Sequence, residues 1–194
     1  ALSEEMTQEE YKESIELIRR QGSKMTKMIT EMFEFSRIER RSEKYNVEEL
    51  DFSELVENLC DDLALLKTKN ITLECEVEPG IRVKGNRMLL TRLVSNLVSN
   101  AYRYGVENGR INITLLSNSK NAMLCVKDNG IGIAKDEQEK IFRRFYQTDP
   151  SHNGGGTGLG LSMVKEIVSF HGGSVCVKSE PGQGSEFFVR IPTV

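Results

Sequence analysis

Between Thr7 and Met32 the chain repeats at alternating intervals of four and three, through Tyr11, Ile15, Ile18, Gly22, Met25, Ile29 and Met32. That is the seam of a left-handed coiled coil or an antiparallel bundle. Thr7-Gln8-Glu9-Glu10 is a capping box that opens the helix, and the flanking positions are solvated Lys, Glu, Arg and Gln. A helix with one apolar seam and no matching helix in the chain predicts a bundle completed from elsewhere. One amphipathic helix packing on its own domain is the alternative. Ser, Arg and Glu around 36–43 mark a boundary, dividing the chain into a partial bundle, 1–44, and a second unit, 45–194.

In the second unit the period changes. Leu55, Val56, Leu59, Leu63 and Leu66 predict a helix after Ser53, and Leu89, Leu90, Leu93, Leu97 and Val98 another over 87–102. Strand alternation marks Ile71–Val77, Ile111–Leu115, Ala122–Val126, Val175/Val177 and Phe187–Ile191, with turns at Asn118-Ser119 and Pro181-Gly182. A helix from about Gly158 carries Met163, Ile167 and Phe170 on one stripe. Helices alternate with hairpins, so the fold class is α+β: a two-layer sandwich of a mixed sheet with helices on one face. About 150 residues suffice for a stable core.

Composition narrows the class. Of 194 residues 38% are hydrophobic and 28% charged, and the net charge is −3. These are values of a globular protein, without the basic footprint of a nucleic-acid binder. Membrane contact is not expected, because no apolar run approaches about 20 residues, and no signal peptide is visible. Cys60, Cys75, Cys125 and Cys176 show no metal-binding spacing. They read as buried reduced thiols, which points to the cytoplasm. The chain opens inside a polar helix-like pattern, as a piece of a longer protein would.

The densest chemistry lies in Gly154-Gly155-Gly156-Thr157-Gly158-Leu159-Gly160-Leu161. A glycine loop opening a helix exposes unpaired N–H groups at the positive end of the dipole and suits phosphate. Its spacing is neither of the common dinucleotide and P-loop fingerprints. Asn96 and Asn100, at i and i+4, share a helix face opposite the leucines, with Arg103 and Tyr104 following. A polar solvent face would look the same. Asp128-Asn129-Gly130-Ile131-Gly132-Ile133 closes a strand. It is an ordinary tight turn, or a carboxylate that accepts the adenine amine and refuses the guanine carbonyl, with glycines lying against the base. Arg143 and Arg144 stand among aromatics and could hold a phosphoryl group or be surface charge.

In chain order, Asn96-x-x-x-Asn100, Asp128-x-Gly130-x-Gly132, Phe142-x-x-Phe145 and Gly156-x-Gly158-x-Gly160 resemble the N, G1, F and G2 boxes of sensor histidine kinases. These belong to the GHKL ATPase superfamily with gyrase B, Hsp90 and MutL. The resemblance covers roughly residues 1–192. It implies a Bergerat-fold catalytic domain preceded by the second helix of a dimerisation and phosphotransfer domain, ending Phe35-Ser36-Arg37-Ile38-Glu39. ATP and Mg²⁺ are the implied cofactors, with Asn100 the metal ligand. Arg103 and Tyr104 would flank the nucleotide, Asp128 would read adenine, and Ser185 would support it. Gly130, Gly132 and Ile133 would complete the base side, and Gly156, Thr157, Gly158, Leu159, Gly160 and Leu161 the phosphate side. Residues 147–157 would form the lid. Asn96 and Arg144 are the implied catalytic residues, Arg144 acting on the γ-phosphoryl group. Implied partners are an upstream H-box helix of the same or sister protomer, a response regulator receiver domain, and a second protomer in a homodimer. The implied location is cytoplasmic, whether or not the whole sensor is membrane-bound.

The chain also departs from the pattern. Hydrolysing relatives carry Glu where Asn96 stands, and an amide cannot activate water, which favours transfer to a protein acceptor. Gln147 and Arg143 replace a common Arg and Glu. No H-box is present. His152 lies in the predicted lid, and His171 at a helix end before Gly172-Gly173 suits the helix dipole and a glycine cap. Neither is the acceptor. A nucleotide-sensing or dimerisation module without kinase activity, or a GHKL-type ATPase, are the competing readings.

Overall fold

The computed structural model describes residues 7–40, 45–64, 69–118, 120–148 and 156–194. Helix α1, Gln8–Arg40, opens as its capping box requires: the Thr7 N–H donates to the Glu10 carboxylate at 2.6 Å, and the Glu10 N–H donates to Thr7 Oγ1 at 3.3 Å. Its heptad seam is open, with Ile18 70% and Met25 64% exposed. Only its last turns bury apolar groups, Phe35 and Ile38, against the rest of the protein.

Strand β1 (Glu48–Asp51) pairs antiparallel with β3 (Arg82–Gly85), a two-stranded sheet too short to show in the sequence pattern. Helix α2 is Phe52–Ala64 and strand β2 is Thr72–Val77. Helix α3, Arg87–Tyr104, leads to the β4–β5 hairpin, Arg110–Ser117 and Asn121–Asp128. A 3₁₀ turn at Lys140–Phe142 precedes helix α4, Gly160–Phe170, and the β6–β7 hairpin, Ser174–Glu180 and Gly184–Pro192. The main sheet runs β2-β4-β5-β7-β6, with β2 and β4 parallel and the other pairs antiparallel. It is mixed, as expected.

Alternation decides the layering. Ile113, Val126 and Phe187 align across three strands and are all buried, as are Leu89, Leu93, Leu97, Met163, Val164 and Ile167 of α3 and α4. The other sheet face leaves Leu116 and Met123 exposed. Asn112, Thr114, Lys127 and Glu186 share that face in register, and such polar side chains need no covering layer.

The same alternation corrects the cysteine reading. Cys125 and Cys176 each pair in register with Phe188, on the uncovered face, and are half-buried and exposed. Cys60 and Cys75 form a disulfide between α2 and the edge strand β2, their Cα atoms 6.6 Å apart. Of the four, only Cys60 is buried. His171 also differs from a dipole cation. Its Nε2 accepts the Asn86 N–H at 3.1 Å, and its Nδ1 lies 2.7 Å from the Ile167 carbonyl, so the ring is neutral with its proton on Nδ1. Burial lowers its pKa. The ring thus ties the end of α4 to Asn86, which caps α3 through Leu89 N–H.

Candidate nucleotide site

Helix α3 buries its leucines and turns Asn96, Asn100, Arg103 and Tyr104 toward one pocket. Asn96 Nδ2 is buried and has no hydrogen-bond partner among the described residues. Leaving such a donor dry costs about 1–3 kcal/mol, so it marks a place for a ligand or water oxygen. The end of α3 is held by Lys69, whose Nζ donates to the carbonyls of Arg103 at 2.7 Å and Gly105 at 2.9 Å. The sequence reading missed this lysine, which sits in a turn with positive φ.

The opposite end is built by β5 and the β6–β7 hairpin. Asp128 is 5% exposed and sits in register with Ser185. Its carboxylate accepts the Gly130 N–H at 2.8 Å. Burial pushes its pKa up, and the N–H groups of Gly130 and Ser185 oppose that only in part. A desolvated carboxylate in a pocket seeks a donor. Gly132, Ile133 and Ser185 line the same end, whereas Gly130 is not among the lining residues and packs against the Tyr104 carbonyl. Gly132 has φ +71°, and a Cβ there would stand 1.9 Å from the Glu180 carbonyl. Close packing of the loop on the hairpin therefore explains this glycine without a base against it.

The glycine loop shares the α3 end, where a notional Cβ on Gly160 would stand 3.9 Å from Asn96 Oδ1. Gly156, Thr157, Gly158, Gly160 and Leu161 line the pocket, whereas the Leu159 side chain turns into the protein. Gly158 has φ +74° and passes 2.6 Å, measured from a notional Cβ, from the Phe145 backbone. Arg103 lies over Gly156, and Gln147 Nε2 donates to the Gly156 carbonyl at 2.9 Å. Gly154, Gly155 and His152 lie outside the described residues, as does most of the expected lid.

Arg144 is not among the pocket-lining residues. It stacks over the Phe35 ring at 4.3 Å and pairs with Glu39, both on α1. The pocket receives other α1 residues: Lys27 and Glu31 reach its wall. Thr157 Oγ1 donates to Glu31, and Arg92 pairs with Glu34 at 2.8 Å and Glu31 at 3.9 Å. The apolar seam drew attention away from these polar positions on α1. Tyr146 and Gln147 also line the pocket.

No group of three or more His, Cys, Asp or Glu suited to a metal occurs among the described residues. A hard cation here would rest on a single amide oxygen such as Asn100 and on ligand and water oxygens. That donor set fits Mg²⁺, which keeps several waters and phosphate ligands.

An acidic end and a glycine-lined helix start across one pocket make a nucleotide-binding domain. The sequence model of the histidine kinase-, DNA gyrase B-, and HSP90-like ATPase family matches residues 85–194, more than half of the chain, and the protein belongs to that family. It is 39% identical over 179 residues to the sensor histidine kinase RppB of Synechocystis sp., covering 90% of this chain and 39% of that protein. With the sensor-like histidine kinase SenX3 of Mycolicibacterium smegmatis it shares 34% identity over 175 residues, 89% of this chain and 46% of SenX3. The chain thus spans less than half the length of these relatives. Among solved structures, full-length ShkA in complex with AMPPNP superposes with a TM-score of 0.80 at 25% identity, over 98% of this chain and 40% of ShkA. Histidine kinase ThkA in complex with the response regulator TrrA gives 0.77 at 26%, over 99% of this chain and 54% of ThkA.

Proposed function

We propose that the protein binds Mg-ATP and transfers the γ-phosphoryl group to a histidine on a helix supplied from outside these residues. The observation that carries this reading is the pocket itself, with Asp128 at one end and the orphaned Asn96 amide at the other. In this reading Asp128 accepts the adenine amine and Ser185 supports it. Arg103 and Tyr104 flank the nucleotide, and Asn100 would hold Mg²⁺, which neutralises phosphate charge. Asn96 offers a donor but no base, so water is not activated and transfer depends on position and charge. Arg144 reaches the γ-phosphate only after leaving Phe35 and Glu39.

Residues 1–44 then belong to a dimerisation bundle and 45–194 to the catalytic domain. The exposed α1 seam takes the H-box helix of the same or a sister protomer, a second copy completes a homodimer, and a receiver domain accepts the phosphoryl group, all in the cytoplasm. Calorimetric titration with ATP and GTP tests the base site. ATP is expected to bind at least tenfold tighter, and Asp128→Asn to remove that preference; equal affinities in the parent protein would sink it.

A further inference from the structure

Ser179 on β6 stands one layer behind the base site. Its Oγ accepts the Ile133 N–H at 2.7 Å, contacts the Gly184 carbonyl at 2.7 Å, and lies 3.0 Å from Ser185 Oγ. A serine hydroxyl has one proton and two acceptor sites. The carbonyl cannot donate, so the Ser179 proton goes to Gly184. The Ile133 N–H takes one acceptor site, and the other is left for the Ser185 hydroxyl. Ser185 is therefore committed to donate backwards, to Ser179. Toward the pocket it shows only lone pairs, beside the acceptor-only carboxylate of Asp128.

We infer that Ser179 is a specificity-determining residue, which fixes the direction of the Ser185 hydroxyl so that the base end of the pocket accepts hydrogen bonds and does not donate them. The inference rests on the adenine reading of this end. A purine amine, or a water that spends both protons on Asp128 and Ser185, satisfies such a wall. A purine carbonyl meets acceptors only. Gln138 holds the arrangement in place, since its Nε2 donates to the carbonyls of Ile133 at 3.1 Å and Ser179 at 2.7 Å. The hydroxyl network thus joins the G1 loop to the hairpin that carries Ser185. With Ser179 truncated, the Ser185 rotor can turn and donate to a guanine carbonyl.

The test is the ratio of ATP to GTP affinity, by calorimetry, in the parent chain, Ser179→Ala, Ser185→Ala and the double variant. Ser179→Ala is expected to lower the ratio about fivefold, mostly through tighter GTP binding, the size of one net hydrogen bond. In the Ser185→Ala background the same change should have no further effect on the ratio. Equal loss of both nucleotides in Ser179→Ala, or an undiminished effect without Ser185, overturns the inference. Should Ser179→Ala not fold, Ser179→Cys, a weak donor and acceptor, replaces it; an unchanged ratio there overturns the inference equally. Asp128→Asn separates the two levels. If that variant keeps the parent ratio, the adenine reading itself fails; if it loses the ratio and Ser179→Ala does not, only the role of Ser179 fails.

Discussion

The two ends of the pocket are built on different principles. The Asp128 end is closed by its own sheet: strand register places Ser185 beside Asp128, and Ser179 and Gln138 tie the loop to the hairpin. The glycine end borrows from outside, because Thr157 is held by Glu31 of α1 and Arg144 by Glu39 and Phe35. Base selection should therefore belong to the catalytic unit alone, whereas phosphate binding should depend on where α1 lies.

The largest expected effect is at the self-contained end. Asp128→Asn is expected to weaken ATP binding roughly ten- to a hundredfold, since a hydrogen bond to a charged group is worth about 1.5–3 kcal/mol. The empty protein should respond oppositely. A carboxyl whose pKa is raised by folding lends stability at low pH and loses it as pH rises through the raised value. Melting curves at neutral pH should therefore show Asp128→Asn at least as stable as its parent. A less stable variant that keeps its ATP affinity would mean the carboxylate is structural.

Asn100→Ala probes the other end. It should remove most of the Mg²⁺ dependence of ATP affinity, about tenfold, while leaving adenosine affinity unchanged. Loss of adenosine binding as well would break the division between the ends.

Glu31→Gln addresses the borrowed end. The Glu31 side chain is 14% exposed beside the expected phosphates, with Arg92 and Lys27 about 4 Å away. Removing its charge should tighten ATP about two- to threefold, with AMP and adenosine unaffected, a modest gain because the neighbouring cations screen it. Equal tightening of adenosine would show that α1 acts on the base end too.

The smallest effect concerns the latch between α3 and α4. Neutral His171 accepts the Asn86 N–H, and its pKa is lowered. The stability it lends is present above the ordinary histidine range and lost as pH falls through the lowered value. Thermal melts should decline across mildly acidic pH, and His171→Gln should flatten that decline.

Local pattern made the lining of both ends legible and hid what holds each in place. The leucine stripe of α3 left Asn96 and Asn100 on the opposite face, and strand alternation put Asp128 at a strand end, so these positions could be named from the sequence. The β1–β3 pair was too short to carry a period. The Cys60–Cys75 pairing depends on α2 packing beside β2, and Cys125 and Cys176 escaped burial because one sheet face is bare. Glu31 meets Thr157, and Glu39 meets Arg144, across more than a hundred residues, and charges on a helix read locally as solvated surface. Ser179 looked like any polar residue on an edge strand. Its role appears only when the direction of each hydroxyl bond is followed.

The central claim is phosphoryl transfer without hydrolysis, and it is tested most directly with γ-labelled ATP and a separate histidine-bearing bundle helix. The account predicts label on that helix, acid-labile and base-stable as a phosphohistidine is, with little free phosphate released by the chain alone. Steady release of free phosphate whether or not the helix is present, with the helix unlabelled, would contradict it.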